Sequence, residues 1–143
     1  MNSAMTKVYA AADPQNLIIY DGRVGAALGL LTRYLLRARN THEIPTDLAF
    51  RWGPPASRPF DSRDPSLGGY RFSSLYQGTD RDEAWAKLVR KTSQILKKAA
   101  KTLNEQGQSV SVGELERALF MIGYNVRHQA DAPTTSPRLR NCT

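Results

Sequence analysis

Residues 17–36 read LIIYDGRVGAALGLLTRYLL, and the fold turns on this stretch. Leu17, Ile18 and Ile19 make a short apolar run that ends at Tyr20. Asp21 follows, a residue type whose carboxylate accepts backbone N–H bonds at the start of a helix. Beyond it Val24, Ala27, Leu28, Leu31, Tyr34, Leu35 and Ala38 recur three and four apart, the spacing of one helical face. The pattern predicts a helix to about Arg39, with Asp21 at or just before its first turn, where the dipole favours a negative charge. No second acid stands beside it in the sequence. Gly22, Gly25 and Gly29 each lower helix propensity by about 1 kcal/mol relative to Ala. Packing has to offset that cost: Gly25 and Gly29 share a face, which points to close approach of another helix, with a nucleic-acid backbone as the alternative.

On either side the chain punctuates itself clearly. Residues 4–12, AMTKVYAAA, favour a short first helix that stops at Asp13-Pro14. Pro45 and Thr46-Asp47 open a short helical piece through Leu48, Ala49, Phe50 and Trp52. From Gly53 to Gly78 the composition changes to four prolines, repeated glycines and Arg58, Arg63 and Arg71. This reads as one long loop. Its rings, Phe60, Tyr70, Phe72 and Tyr76, suit a surface strap anchored in the core, with its arginines free to face a partner.

Thr79 or Asp80 caps the longest expected helix, Arg81 to about Gln106, which Gly107 ends. Trp85, Leu88, Thr92, Ile95, Leu96, Ala99 and Leu103 make its apolar stripe. The other side carries Lys87, Arg90, Lys91, Lys97, Lys98 and Lys101, with no acid between 84 and 104. Lysines late in a helix are favoured by its dipole, so part of this run needs no ligand; the rest is the best phosphate-contacting surface in the sequence. Ser111-Val112-Gly113-Glu114 is a capping box that opens a last helix through Leu115, Ala118, Leu119 and Ile122, closed by Gly123 as a C′ glycine.

The segment around Asp21 resembles the helix-hairpin-helix DNA glycosylases, the superfamily of the oxoguanine and adenine glycosylases and endonuclease III. Tyr20-Asp21-Gly22-Arg23-Val24 looks like their V-D-x-x-V helix start, and Thr6-Lys7-Val8 like the T-K-V of the oxoguanine branch. Residues 116–124, ERALFMIGY, are similar to the closing helix of a compact bacterial branch. The resemblance implies a helical base-excision domain in which Asp21 is the catalytic acid and Lys7 the Schiff-base nucleophile, with DNA as partner and no cofactor. It also implies a chain truncated before the DNA-gripping hairpin, and the interval from Lys7 to Asp21 is shorter than in the oxoguanine enzymes.

Composition sets the wider frame. With 143 residues, 41% hydrophobic and 23% charged, the chain suits one globular domain, expected over 1–126, with a flexible basic tail at 127–143. A net charge of +7 raises the prior for a polyanionic partner through counterion release. Cys142 stands alone, which excludes an internal disulfide and fits a reducing cytoplasm. No apolar run approaches the roughly 18 residues of a membrane span, and no signal pattern opens the chain. His42 and His128 lack metal-site spacing, so no metal is expected.

The expectation is therefore an all-α bundle of about five helices that binds nucleic acid through Arg23 and the six cations of the long helix, with binding ranked above catalysis. The alternative is a non-enzymatic homodimer joined through the truncated N-terminal face.

Overall fold

The computed structural model describes residues 3–127, and the tail expected at 127–143 lies, apart from Arg127, outside the described residues. Among the described residues there are four α-helices and one 3₁₀ turn: α1 (Ser3–Ala12), α2 (Gly22–Ala38), η1 (Thr46–Leu48), α3 (Arg81–Glu105) and α4 (Val112–Ile122). The fold is all-α, as the sequence predicts. The helical piece expected through Trp52 ends at Leu48, and Trp52 pairs with the loop instead. Its N–H donates to Ser73 O at 3.2 Å, and Leu75 N–H donates back to Trp52 O at 2.7 Å.

α4 packs across both α2 and α3, and Val24, Leu28, Trp85, Leu88, Val89, Leu96 and Leu119 meet in the main core. Between α1 and α2 the chain from Leu17 to Tyr20 belongs to no helix and pairs with no strand among the described residues. Buried backbone groups still need partners, and side chains supply them. Ile18 N–H donates to Ser93 Oγ at 3.1 Å and Ile19 N–H to Glu116 Oε1 at 3.3 Å. Tyr20 O accepts from Trp85 Nε1 at 2.9 Å and from the Thr6 hydroxyl at 3.4 Å. This segment is the hub onto which α1, α3 and α4 are bolted.

The glycines of α2 do allow a close approach, but the partner is the strap rather than another helix. A Cβ on Gly22 would stand 2.7 Å from the Gly53 backbone, one on Gly25 would overlap the Arg51 carbonyl, and one on Gly29 would meet the Pro65 ring at 2.5 Å. Gly53 N–H donates to Gly22 O at 3.3 Å, and the Tyr20 hydroxyl, fully buried, donates to Arg51 O at 2.9 Å. Because the strap covers its second side, α2 buries residues all round between Val24 and Leu30, while Leu31 and Leu35 of the expected apolar face stand at the surface.

Tyr70 and Phe72 anchor the strap, the Tyr70 hydroxyl donating to Thr41 O at 2.7 Å, whereas Phe60 and Tyr76 are exposed. In its first half Ser62 O accepts from Val126 N–H at 2.9 Å.

Three local expectations change. The buried stripe of α3 runs through Trp85, Leu88, Val89, Thr92, Ser93, Leu96 and Ala100. It is turned toward Ser93, which accepts the Ile18 N–H, and Ile95, Ala99 and Leu103 are only half-buried. Asp80 occupies the N-cap of α3 without a side-chain cap bond, because its carboxylate faces Arg51 at 3.6 Å. Gly123 follows α4 with φ −75°, outside the left-handed region. Glycine is needed there because a Cβ would collide with the Arg23 carbonyl. Gly107, with φ 85°, does close α3: Gly107 and Gln108 N–H donate back to Asn104 O and Leu103 O, both at 3.0 Å. The Ser111–Glu114 capping box forms as read.

Gly25→Ala should cost more than about 2 kcal/mol in urea denaturation, since only a backbone shift makes room for the methyl group. Gly113→Ala, where the nearest atom is the Arg117 guanidinium at 3.7 Å, should be neutral or stabilise by up to about 1 kcal/mol. Equal effects would mean that close packing of α2 on the strap is not what Gly25 is for.

Candidate nucleic-acid interface

Asp21 stands at the N-cap of α2, where the sequence places it. Its Oδ1 accepts from Arg23 N–H at 2.8 Å and Val24 N–H at 3.0 Å. The extended backbone of Asp21, φ −116° and ψ −176°, is the usual N-cap geometry. Lys7 is exposed on α1, and it is its neighbour Thr6 that points inward to Tyr20 O. Successive residues on a helix point about 100° apart, so burying Thr6 turns Lys7 outward. No hydrogen bond or ion pair joins Lys7 to Asp21, and neither lines any of the three clefts of 520, 180 and 320 Å³.

An acid does stand near Asp21, and it comes from α4. Glu116 accepts the Ile19 N–H, and burial pushes its carboxyl above the usual carboxylate range, with the negative charge of Asp21 adding a smaller push. Nothing local in the sequence joins residues 21 and 116; only the docking of α4 on residues 17–20 does.

Arg23 forms no ion pair with Asp21. Its guanidinium lies over the Phe120 ring, 4.3 Å from the centroid, and within 5.2 Å of the Tyr124 ring. Two α4-side aromatics thus hold it at the start of α2.

The six cations of α3 fall within an arc of about 120° at 3.6 residues per turn, but they are not equivalent. Lys87 pairs with Glu83 at 2.7 Å, Lys91 with Asp47 at 2.8 Å and Lys101 with Glu105 at 3.8 Å. Lys97 donates to Asn16 Oδ1 at 2.6 Å. Arg90 and Lys98 are exposed and make no hydrogen bond or ion pair among the described residues. The acids that temper the run lie just outside the 84–104 window or on another segment, which is why the sequence shows an unbroken cationic face.

One cleft adjoins this surface and another lies elsewhere. The 520 Å³ cleft between η1, the strap and the first half of α3 is lined by Arg51, Arg71, Lys87 and Lys91, and also by Asp47. A second, of 320 Å³, lies between the start of α2, residues 55–63 and the end of α4. Its charged lining residues are Arg23, Arg58 and Arg63, with no acid among them. The sequence marks Arg58 and Arg63 as loop arginines, but gives no sign that Arg23 and Tyr124 join them. Among the described residues no group of three His, Cys, Asp or Glu side chains could hold a metal. No helix there is long and apolar enough to cross a membrane.

The chain matches no family model, no curated protein and no solved structure.

Glu116→Gln tests the electrostatics of the hub. A carboxyl whose folded pKa is raised binds more protons when folded, so its charge costs stability as pH rises through the folded value. The amide keeps an acceptor for Ile19 N–H and carries no charge. The variant should melt higher than the parent at pH 7, and the gap should close below about pH 4, where the parent carboxyl is protonated. A gap independent of pH would remove the charge as its cause.

Proposed function

We propose that this chain is a nucleic-acid-binding helical domain of glycosylase type that contacts phosphates through the solvent face of α3. The observation that carries the proposal is the exposed cationic arc on one long helix, where Arg90 and Lys98 have no partner among the described residues. The net charge of +7 favours the same kind of ligand at longer range. The proposal is one of binding rather than base excision. Capping accounts for the place and orientation of Asp21, and the ammonium of Lys7 lies in solvent without contact to it.

A second reading, a homodimer through the N-terminal face, is favoured by α1. Met5, Val8 and Tyr9 lie on one side of it at 39%, 58% and 41% exposure. Sedimentation as a monomer at micromolar concentration would remove this reading.

Binding to a fluorescent duplex and to a single strand, followed against salt, tests the first reading. Affinity should fall linearly on a log–log plot, and the Arg90→Ala/Lys98→Ala variant should flatten the slope by about 2 units. Lys87→Ala and Lys101→Ala, which release paired residues, should change it less. Asp21→Asn should leave affinity unchanged, and cleavage of an abasic duplex that this variant abolishes would restore the catalytic reading. Salt-independent binding, or none, defeats the proposal.

A further inference from the structure

The 320 Å³ cleft between α2, the strap and α4 differs from the 520 and 180 Å³ clefts in its charge balance. Arg23, Arg58 and Arg63 line it, together with Ser57, Ser62, Tyr124 and Asn125, and no carboxylate does. By contrast the 520 Å³ cleft contains Asp47 and the 180 Å³ cleft contains Asp61 and Asp64. None of the three guanidiniums makes a salt bridge among the described residues. Arg23 and Arg58 rest on rings, Arg58 lying 5.8 Å from the Phe60 centroid. The Nε of Arg63 is buried without a hydrogen-bond partner. Burial and the like charge of Arg23 both hold the Arg63 guanidinium below its ordinary pKa, with the nearby carboxylate of Asp21 a smaller offset.

Three cations around one concavity repel each other, and a buried unbonded N–H leaves a desolvation cost unrecovered. A folded protein keeps such an arrangement where an external anion completes it. Guanidinium groups offer planar pairs of donors that match the oxygens of a phosphate better than those of a spherical halide. The two serine hydroxyls and the Asn125 amide supply neutral donors at the same wall. The volume falls at the small end of ligand sites, enough for a phosphate with a modest organic group.

We propose that this cleft is a binding site for a phosphate monoester, with Arg58 and Arg63 as its principal donors and Arg23 as a fixed third charge. α3 contributes no residue to it, so the site stands independently of the nucleic-acid reading above. The phosphate can come from the 5′ end of a strand or from a free phosphorylated small molecule.

The test is a thermal-shift titration with inorganic phosphate and with a nucleoside monophosphate, each against sodium chloride at equal ionic strength. Saturating phosphate should raise Tm by about 3 °C or more above the chloride control. Arg58→Gln/Arg63→Gln should abolish that rise while leaving the Tm in chloride unchanged or higher, because repulsion is relieved. Arg63→Lys, which keeps the charge and loses the fork, should lose most of the response. Arg90→Ala/Lys98→Ala should keep it in full, so failure of the α3 proposal leaves this one standing. A 5′-phosphorylated oligonucleotide that binds at least tenfold tighter than its 5′-hydroxyl twin assigns the phosphate to a strand end, and equal binding of the two assigns it to a free ligand. A phosphate shift no larger than the chloride shift, or one that survives the double substitution, overturns the site.

Discussion

A non-helical stretch of four residues, Leu17–Tyr20, runs through the interior of a helical protein without a strand beside it among the described residues. Every N–H and C=O it buries would cost about 1–3 kcal/mol if left bare. The molecule answers with four side chains from three helices: Ser93 and Trp85 from α3, Glu116 from α4 and Thr6 from α1. These bonds fix where the helices lie as well as satisfying the segment. They also place Asp21, the residue immediately after it, at the mouth of α2.

The second constraint is steric. α2 is sheathed by the strap on one side and by α4 on the other, and both contacts bring backbone against backbone. Gly22, Gly25 and Gly29 receive the strap, while Gly123 lets the end of α4 settle on Arg23. The same fit sets Arg23 against Phe120 and Tyr124 and carries Arg58 and Arg63 across the start of α2. The arginine cleft thus takes its shape from how closely α2 is wrapped.

Much of this was legible in the sequence. Three- and four-residue apolar spacing, Asp13-Pro14, the Ser111 capping box and Gly107 mark the helices to within a residue or two, because each is a local signal. The strap was legible as a strap from its prolines and rings. Its target was not, since glycines at 22, 25 and 29 announce a close neighbour without naming it. The pairing of the α3 cations was hidden for the same reason: Lys91 meets Asp47, a residue with no local relation to it. Glu116 beside Asp21, and Tyr124 beside Arg58 and Arg63, are products of tertiary docking, and no local spacing encodes them.

The strap also governs how durable each part of the surface is. Residues 51–78 contain no helix and only isolated bridges, at Trp52–Ser74 and Leu67–Tyr70. Their amides lack the cooperative ladder that slows exchange with solvent in α2 and α3. One wall of the arginine cleft therefore belongs to a segment without a helical ladder, whereas the cationic arc belongs to the longest helix. An anion seated between Arg23 and the strap would act as a clasp across the seam between them.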